Sequence, residues 1–256
     1  MRKSRPWIGL GFLLFCLLAW QVLVATQLLD ARTVPSPWTV ITALLSPQQA
    51  AELCWQALAS LERLALGYGL AALIAVPLGI LIGQYASLFR VVQPLLEMLR
   101  SIPAVVLIPP AMLFLGMGTP MKVAVIAFGC FFPVVINTIY GARNVESKFL
   151  FTARTLGYSQ KETFYYVLLP STLPWIFSGL RIALALGLVV TVAAEMVGTI
   201  DGIGYWILYG LRTFKVTQVY TGIVILGFLG WSLNKLFLLA QHRLIPWHPD
   251  FRKASP

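Results

Sequence analysis

Phe151 to Pro170 reads FTARTLGYSQKETFYYVLLP, a polar and charged island in a chain that is otherwise apolar enough to live in lipid. Phe149, Leu150, Ala153 and Leu156 recur at helical spacing with Lys148 and Arg154 on other faces, so the first half predicts a short amphipathic helix. Gly157 ends it, because glycine tolerates the left-handed conformation that commonly closes a helix. Ser159-Gln160-Lys161-Glu162 then fits a capping box that opens a second helix. That helix is expected to stop before Pro170, with Phe164, Val167 and Leu168 as its apolar stripe. The turn between the two helices projects from the membrane surface, either as an ordinary connection or as a docking element.

The chain of 256 residues is 59% hydrophobic and 11% charged, with a mean hydropathy of +0.82, which excludes an ordinary soluble domain. A hydrocarbon core about 30 Å thick needs about 20 apolar residues per helix. Six segments meet or approach that requirement: 7–28, 61–84, 102–115, 121–140, 173–197 and 219–239, with the opening stretch inside a loop at 141–172. Pro103, Pro109 and Pro110 interrupt the third, which is expected to be short or kinked and covered by neighbouring protein. Between the first two, Asp30 to Ser60 carries Pro35, Pro37 and Pro47 and predicts an external segment with a short helix. No internal repeat stands out, and residues 1–256 read as a single all-α polytopic membrane domain.

The basic residues set the orientation. Arg2, Lys3 and Arg5 precede the first span, and Arg90 and Arg100 follow the second. Arg143, Lys148, Arg154 and Lys161 follow the fourth, and Arg243, Arg252 and Lys253 follow the last. An even number of spans places all of these on one side, which the positive-inside rule makes the cytoplasm. Arg32, Lys122, Arg212 and Lys215 fall on the other side, with Arg63 near a boundary. The net charge of +10 is therefore a topology signal, and no nucleic-acid partner is implied. The opening MRKSRP and its long apolar run predict an uncleaved first helix.

Little in the chain points to catalysis. Cys16, Cys54 and Cys130 are scattered without metal-ligand spacing and read as packing residues, and His242 and His248 read as interfacial. No Gly-Lys dipeptide occurs, hence no phosphate-binding loop, so nucleotide energy would have to be bound by another chain. Arg181 and Glu195 share a face of the fifth span but stand about 21 Å apart along its axis, so each needs a partner on another helix. Arg181 reads as a membrane anchor. Glu195 either lines a pathway or gate or caps the backbone amides of Gly198 to Gly204. Gly179, Ala183, Gly187 and Thr191 form a ridge of small side chains, with a shorter one at Gly79 and Gly83, so these helices are expected to approach closely. Asn137, Thr138, Tyr140 and Thr191 are candidates either for lining the path or for hydrogen bonds between helices.

The 151–170 stretch resembles the cytoplasmic "EAA" loop of bacterial ATP-binding-cassette importer permeases, E-A-A, three residues, Gly, nine residues, I-x-L-P. Ala153, Gly157, Leu169 and Pro170 match at that spacing and Val167 replaces the isoleucine. Phe151 stands where the family has Glu, and Thr152 where it has the first Ala. Pro35-Ser36-Pro37, Ser101-Ile102-Pro103, Gly179-Leu180-Arg181, Ala194-Glu195-Met196 and Asp201-Gly202-Ile203-Gly204-Tyr205 are similar to the sulfonate, taurine and nitrate branch.

The resemblance implies the type I importer permease fold in a bacterial inner membrane, multi-pass, with both termini cytoplasmic. It implies a transport subunit that is not itself an enzyme and binds no cofactor, with ATP and magnesium held by two partner ATPase subunits. A periplasmic or lipid-anchored solute-binding protein and a second permease copy, as a homodimer, complete the assembly. Ala153, Arg154, Leu156, Gly157, Tyr158, Ser159, Leu169 and Pro170 would couple to the ATPase, leaning on apolar and backbone contacts because Phe151 supplies no carboxylate. Asn137, Tyr140, Thr191 and Glu195 would lie along the path or its gate. A sulfonate, taurine or nitrate-like anion is the implied solute, with bicarbonate or a neutral heterocycle such as a thiamine precursor as alternatives. An ion-coupled secondary transporter and a membrane-embedded enzyme are the competing classes.

Overall fold

Backbone groups in hydrocarbon must bond within their own segment or a closed barrel, and the apolar runs here resolve as helices. The computed structural model describes residues 6–30, 32–197 and 199–247, with the side chains of residues 6–10 and 13 outside that description. Arg2, Lys3, Arg5, Gly198, His248, Arg252 and Lys253, which enter the expectations above, lie outside the described residues. Among the described residues there is no strand.

In chain order the helices are α1 (Pro6–Ala25), α2 (Pro37–Leu45), α3 (Pro47–Gln84) and α4 (Ala86–Arg100), then a 3-10 turn (Ala104–Leu107) leading into α5 (Ile108–Leu115). There follow α6 (Thr119–Arg143), α7 (Ser147–Thr155), α8 (Gln160–Thr163), α9 (Leu169–Glu195), α10 (Ile203–Arg212) and α11 (Val216–Leu244). The helices holding α3, α6, α9 and α11 are long and apolar enough to cross a bilayer, and the bent α4–α5 pair makes up to a fifth crossing.

Several boundaries differ from the expected ones for local reasons. The second span begins at Pro47 instead of 61, because Ser46 is extended, Pro47 occupies the first turn where its missing amide costs nothing, and good helix formers follow. At 38 residues α3 is about 57 Å long, so its first turns extend beyond a bilayer core. The short helix expected between the first two spans is α2, capped by Ser36 Oγ, which accepts from Thr39 N at 3.2 Å. The connection before the third segment is itself the amphipathic helix α4, joined to the 104–115 helix through a bend of 81°. Pro103 makes that break by pushing Ile102 away from helical geometry. Pro109 and Pro110, read from sequence as interruptions, instead lie in the first turn of α5. Arg143 ties α4 to the end of α6 by stacking 4.0 Å over the Phe89 ring. Helix α10 was not anticipated.

The core is the α3–α6–α9 triple. On α3 the small residues Gly67, Ala71, Ala75, Gly79 and Gly83 recur every fourth position, and all are buried. They let α6 approach so closely that a Cβ on Gly79 would meet Thr138 Cβ at 2.6 Å. The ridge on α9 plays the same part: a Cβ on Gly179 would lie 2.7 Å from the Pro133 carbonyl oxygen of α6. Val125, Ile126, Val134 and Val135 fill the seam between these backbones. Leu70, Leu73 and Ile74 on α3 point outward and exposed, as side chains solvated by lipid require.

Candidate functional site

The polar stretch forms a capped hairpin of helices at one end of the bundle. Helix α7 closes on Gly157, whose φ of +76° is left-handed. Tyr158 N donates to the Ala153 carbonyl and Gly157 N to that of Arg154, both at 3.0 Å, the two bonds of a Schellman closure. Ser159 then opens α8: its Oγ accepts from Glu162 N at 3.3 Å while Ser159 N donates to Glu162 Oε2 at 2.8 Å, a complete capping box. The Ser159 hydroxyl and then its amide hold the Glu162 carboxyl below the usual glutamate range.

The second helix does not stop before Pro170. Pro170 has no amide hydrogen and its ring crowds the carbonyl four residues back, so the chain widens one turn, and Phe164–Leu168 is a π-helical segment in which Leu169 N bonds to Phe164 O. Helix then continues without interruption from Gln160 to Glu195. The capped end and the α9 span are therefore one rod.

Ala153 is buried at the pivot, Leu169 and Pro170 are half-buried where the rod meets the bundle, and Arg154, Leu156, Gly157, Tyr158 and Ser159 are exposed. Leu156 and Phe151 are each 66% exposed, and the rings of Tyr165 and Tyr166 are also open. A hollow of about 390 Å³ lies between the two helices, lined by Phe149, Ala153, Leu156, Tyr158, Tyr166 and Val167. This end presents apolar and aromatic surface where an acid was the family pattern.

The four path candidates separate. Asn137 lines a half-open cavity of about 440 Å³ bounded by the break at 100–104, α6 and α9, and its Nδ2 donates to Pro133 O at 2.8 Å. Tyr140 faces the small groove between α6 and α4 with Phe89, Gln93 and Glu97. Thr191 is fully buried and donates to the Gly187 carbonyl at 2.8 Å, away from that cavity. Glu195 sits at the other end of the bundle and is also buried.

Glu195 anchors a polar knot. Arg63 Nη1 donates to Glu195 Oε1 at 2.9 Å and to Asp201 O at 3.2 Å, and Arg63 Nη2 to Asp201 Oδ1 at 2.5 Å. Glu195 Oε2 accepts from Ser60 Oγ at 2.8 Å and from Gly204 N at 3.0 Å. Gln56 Oε1 and Ser60 Oγ accept the amides of Gly202 and Ile203 at 2.6 and 2.9 Å. The knot ties the α9–α10 turn to α3, and satisfied this fully it rigidifies without offering a reactive group. The buried Lys122 shares its field. Arg181 finds its partner on α11, donating from Nε to Asn234 Oδ1 at 3.1 Å.

Sequence reasoning missed two residues. Arg63 was set near a boundary, although a guanidinium within a predicted helix signals the need of an acid on another. Arg100 was read as a loop charge, yet it lines the 440 Å³ cavity; Pro103 immediately after it was the available sign that the chain re-enters there. Among the described residues no group of His, Cys, Asp or Glu could hold a metal ion.

The family profile described as binding-protein-dependent transport system inner membrane component matches residues 75–247. The nitrate import permease protein NrtB of Leptolyngbya laminosa is 32% identical over 251 residues, spanning 96% of this chain and 89% of that one. The taurine transport system permease protein TauC of Escherichia coli (strain K12) is 30% identical over 248 residues, spanning 95% and 90%. An inward facing structure of the MetNI methionine ABC transporter aligns over 79% of this chain and 98% of its own with a TM-score of 0.65 at 20% identity, a likeness of fold alone. The chain thus belongs to the binding-protein-dependent inner membrane components, as the multi-pass permease subunit of an ATP-binding-cassette importer whose ATP hydrolysis lies on a separate chain, and it is neither an ion-coupled carrier nor an enzyme.

Proposed function

We propose that two identical copies of this permease form a path that carries a small oxyanion, nitrate or a sulfonate such as taurine, into the cytoplasm. In this reading the 147–170 hairpin and both termini face the cytoplasm. Ala153, Arg154, Leu156, Gly157, Tyr158, Ser159, Leu169 and Pro170 receive the stroke of ATPase subunits that bind ATP and magnesium. A periplasmic or lipid-anchored binding protein delivers the solute at the opposite face, near the Arg63–Glu195 knot. The names of the nitrate and taurine relatives support the solute class, and the apolar surface at Phe151 and Leu156 supports docking by apolar contact in place of an ion pair.

The observation that carries the coupling reading is the unbroken rod from Gln160 through Pro170 to Glu195. A push on the capped end moves α9, and Ile182, Leu186 and Val190 of α9 wall the cavity. Replacing Gly157 tests it. An added Cβ there meets nothing within 4 Å, so Gly157→Val acts through the left-handed backbone, at a cost of about 1–2 kcal/mol or more for a β-branched residue. The variant complex is expected to hydrolyse ATP without importing; normal import by it overturns the docking assignment.

A further inference from the structure

The cavity between the broken span, α6 and α9 contains a charge without a counter-ion. Arg100, at the end of α4, lines it and makes no hydrogen bond or ion pair with any described residue. Glu97, one turn earlier, is engaged by Gln93 Nε2 at 3.0 Å. The cavity extends along the inner part of α6. Its α6 lining runs from Phe128 to Asn137, which at about 1.5 Å per residue lie about 22 and 9 Å from the Arg143 end of a helix about 37 Å long. Arg100 is itself exposed and also borders the groove of Glu97 and Tyr140; a charged side chain facing a cavity among membrane-spanning helices marks a pathway or ligand by default.

The remaining chemistry of the cavity narrows the ligand. Ile102, Phe128, Phe132, Ile136, Ile182 and Leu186 make apolar walls that strengthen any charge interaction inside. Asn137 spends one amide hydrogen on the Pro133 carbonyl and keeps a second donor. A planar, permanently charged fork of donors suits an oxyanion, which it can grip through two parallel bonds.

We propose that Arg100 and Asn137 form an oxyanion-binding half-site midway along the translocation path, and that the second copy closes the cavity with an equivalent half-site. The proposal rests on the reading of the chain as a homodimeric oxyanion permease and assigns that reading its solute-contacting residues. Arg100 attracts the anion off the binding protein, and the apolar walls keep the grip weak enough for release toward the cytoplasm.

The test reads local charge first, independently of the solute. Ile182→Cys is placed on the wall, with the exposed Cys16 and Cys54 replaced by serine, in the complete transporter reconstituted into phosphatidylcholine vesicles, which carry no anionic headgroup. The thiol is expected to react about tenfold faster with a methanethiosulfonate bearing a sulfonate than with one bearing a trimethylammonium. Arg100→Lys should keep that ratio and Arg100→Gln should abolish it. A ratio unchanged by Arg100→Gln, or a thiol that neither reagent reaches, overturns the site. The second arm measures uptake of labelled nitrate and taurine. Arg100→Gln should lower uptake of whichever is carried by tenfold or more, with partial recovery in Arg100→Lys; unchanged uptake overturns the half-site. If the charge ratio holds while the unaltered transporter imports neither compound, the half-site stands and the assigned solute class falls.

Discussion

Removing Arg63 gives the sharpest test of what holds the end of the bundle opposite the capped hairpin. Arg63 is 5% exposed and Glu195 1%, and the guanidinium makes three bonds, to Glu195 Oε1, Asp201 Oδ1 and the Asp201 carbonyl. Arg63→Met fills similar volume and strips Glu195 of its counter-ion, leaving only Ser60 Oγ and Gly204 N as donors to its carboxylate. Breaking a buried pair by removing one partner costs about 3–5 kcal/mol, because an uncompensated charge remains. Taking the charge away as well removes most of that penalty. The double variant Arg63→Met with Glu195→Met should therefore cost less than the sum of the single variants, with a coupling of about 2 kcal/mol or more. Reversible unfolding of the complex in nanodiscs, followed for the wild type, both single variants and the double, measures the cycle. Two outcomes refute the reasoning: single-variant costs that simply add, or a Glu195→Gln complex that keeps full stability and loses transport. The latter would make Glu195 a working gate in place of a structural anchor.

Two further expectations concern the capped rod. The capping box holds Glu162 below its ordinary pKa, and a depressed carboxylate contributes stability that is present above its unfolded value and lost as pH falls through the folded one. The protection of the Ser159 and Glu162 amides, their exchange measured relative to the intrinsic rate at each pH, should thus be constant above the ordinary glutamate range and fall as pH drops from that range through the lowered value; Ser159→Ala should remove the protection at neutral pH as well. Pro170→Ala restores the missing amide, so the π-helical turn at Phe164–Leu168 should tighten to α-helix and rotate the capped end by about 100° relative to α9. Import should fall while the fold is kept, and wild-type import by this variant would show that the azimuth of the docking end is immaterial.

The features legible in the sequence are those whose causes lie within a few residues. Gly157 and the Ser159–Glu162 box specify a helix end and a helix start by local hydrogen bonds, and apolar length specifies α6 and α11 nearly to their boundaries. Even so, a local rule misfired at Pro170. Proline ends a helix only where the freed groups have no other solution, and here one wider turn gave them one while α9 held the direction. Partners far apart in the chain were out of reach: Arg63 and Glu195 are separated by 132 positions, and either could have faced water, lipid or protein. Thr191 and Asn137 had equal claim to the path from sequence. Helix packing buried the first, whose hydroxyl bonds the Gly187 carbonyl of its own helix, and turned the second onto the cavity. Arg100 was assigned to a loop until the 81° bend brought it beside α6 and α9. By itself the sequence determined that the chain is built of apolar helices and where the polar hairpin stands, because backbone hydrogen bonding and periodicity are short-range; the six expected spans became four long crossing helices and a bent pair, with α10 added. Only the tertiary structure decided which charges are paired and which lines the cavity, because a side chain's partner depends on the azimuth and depth at which separate helices meet.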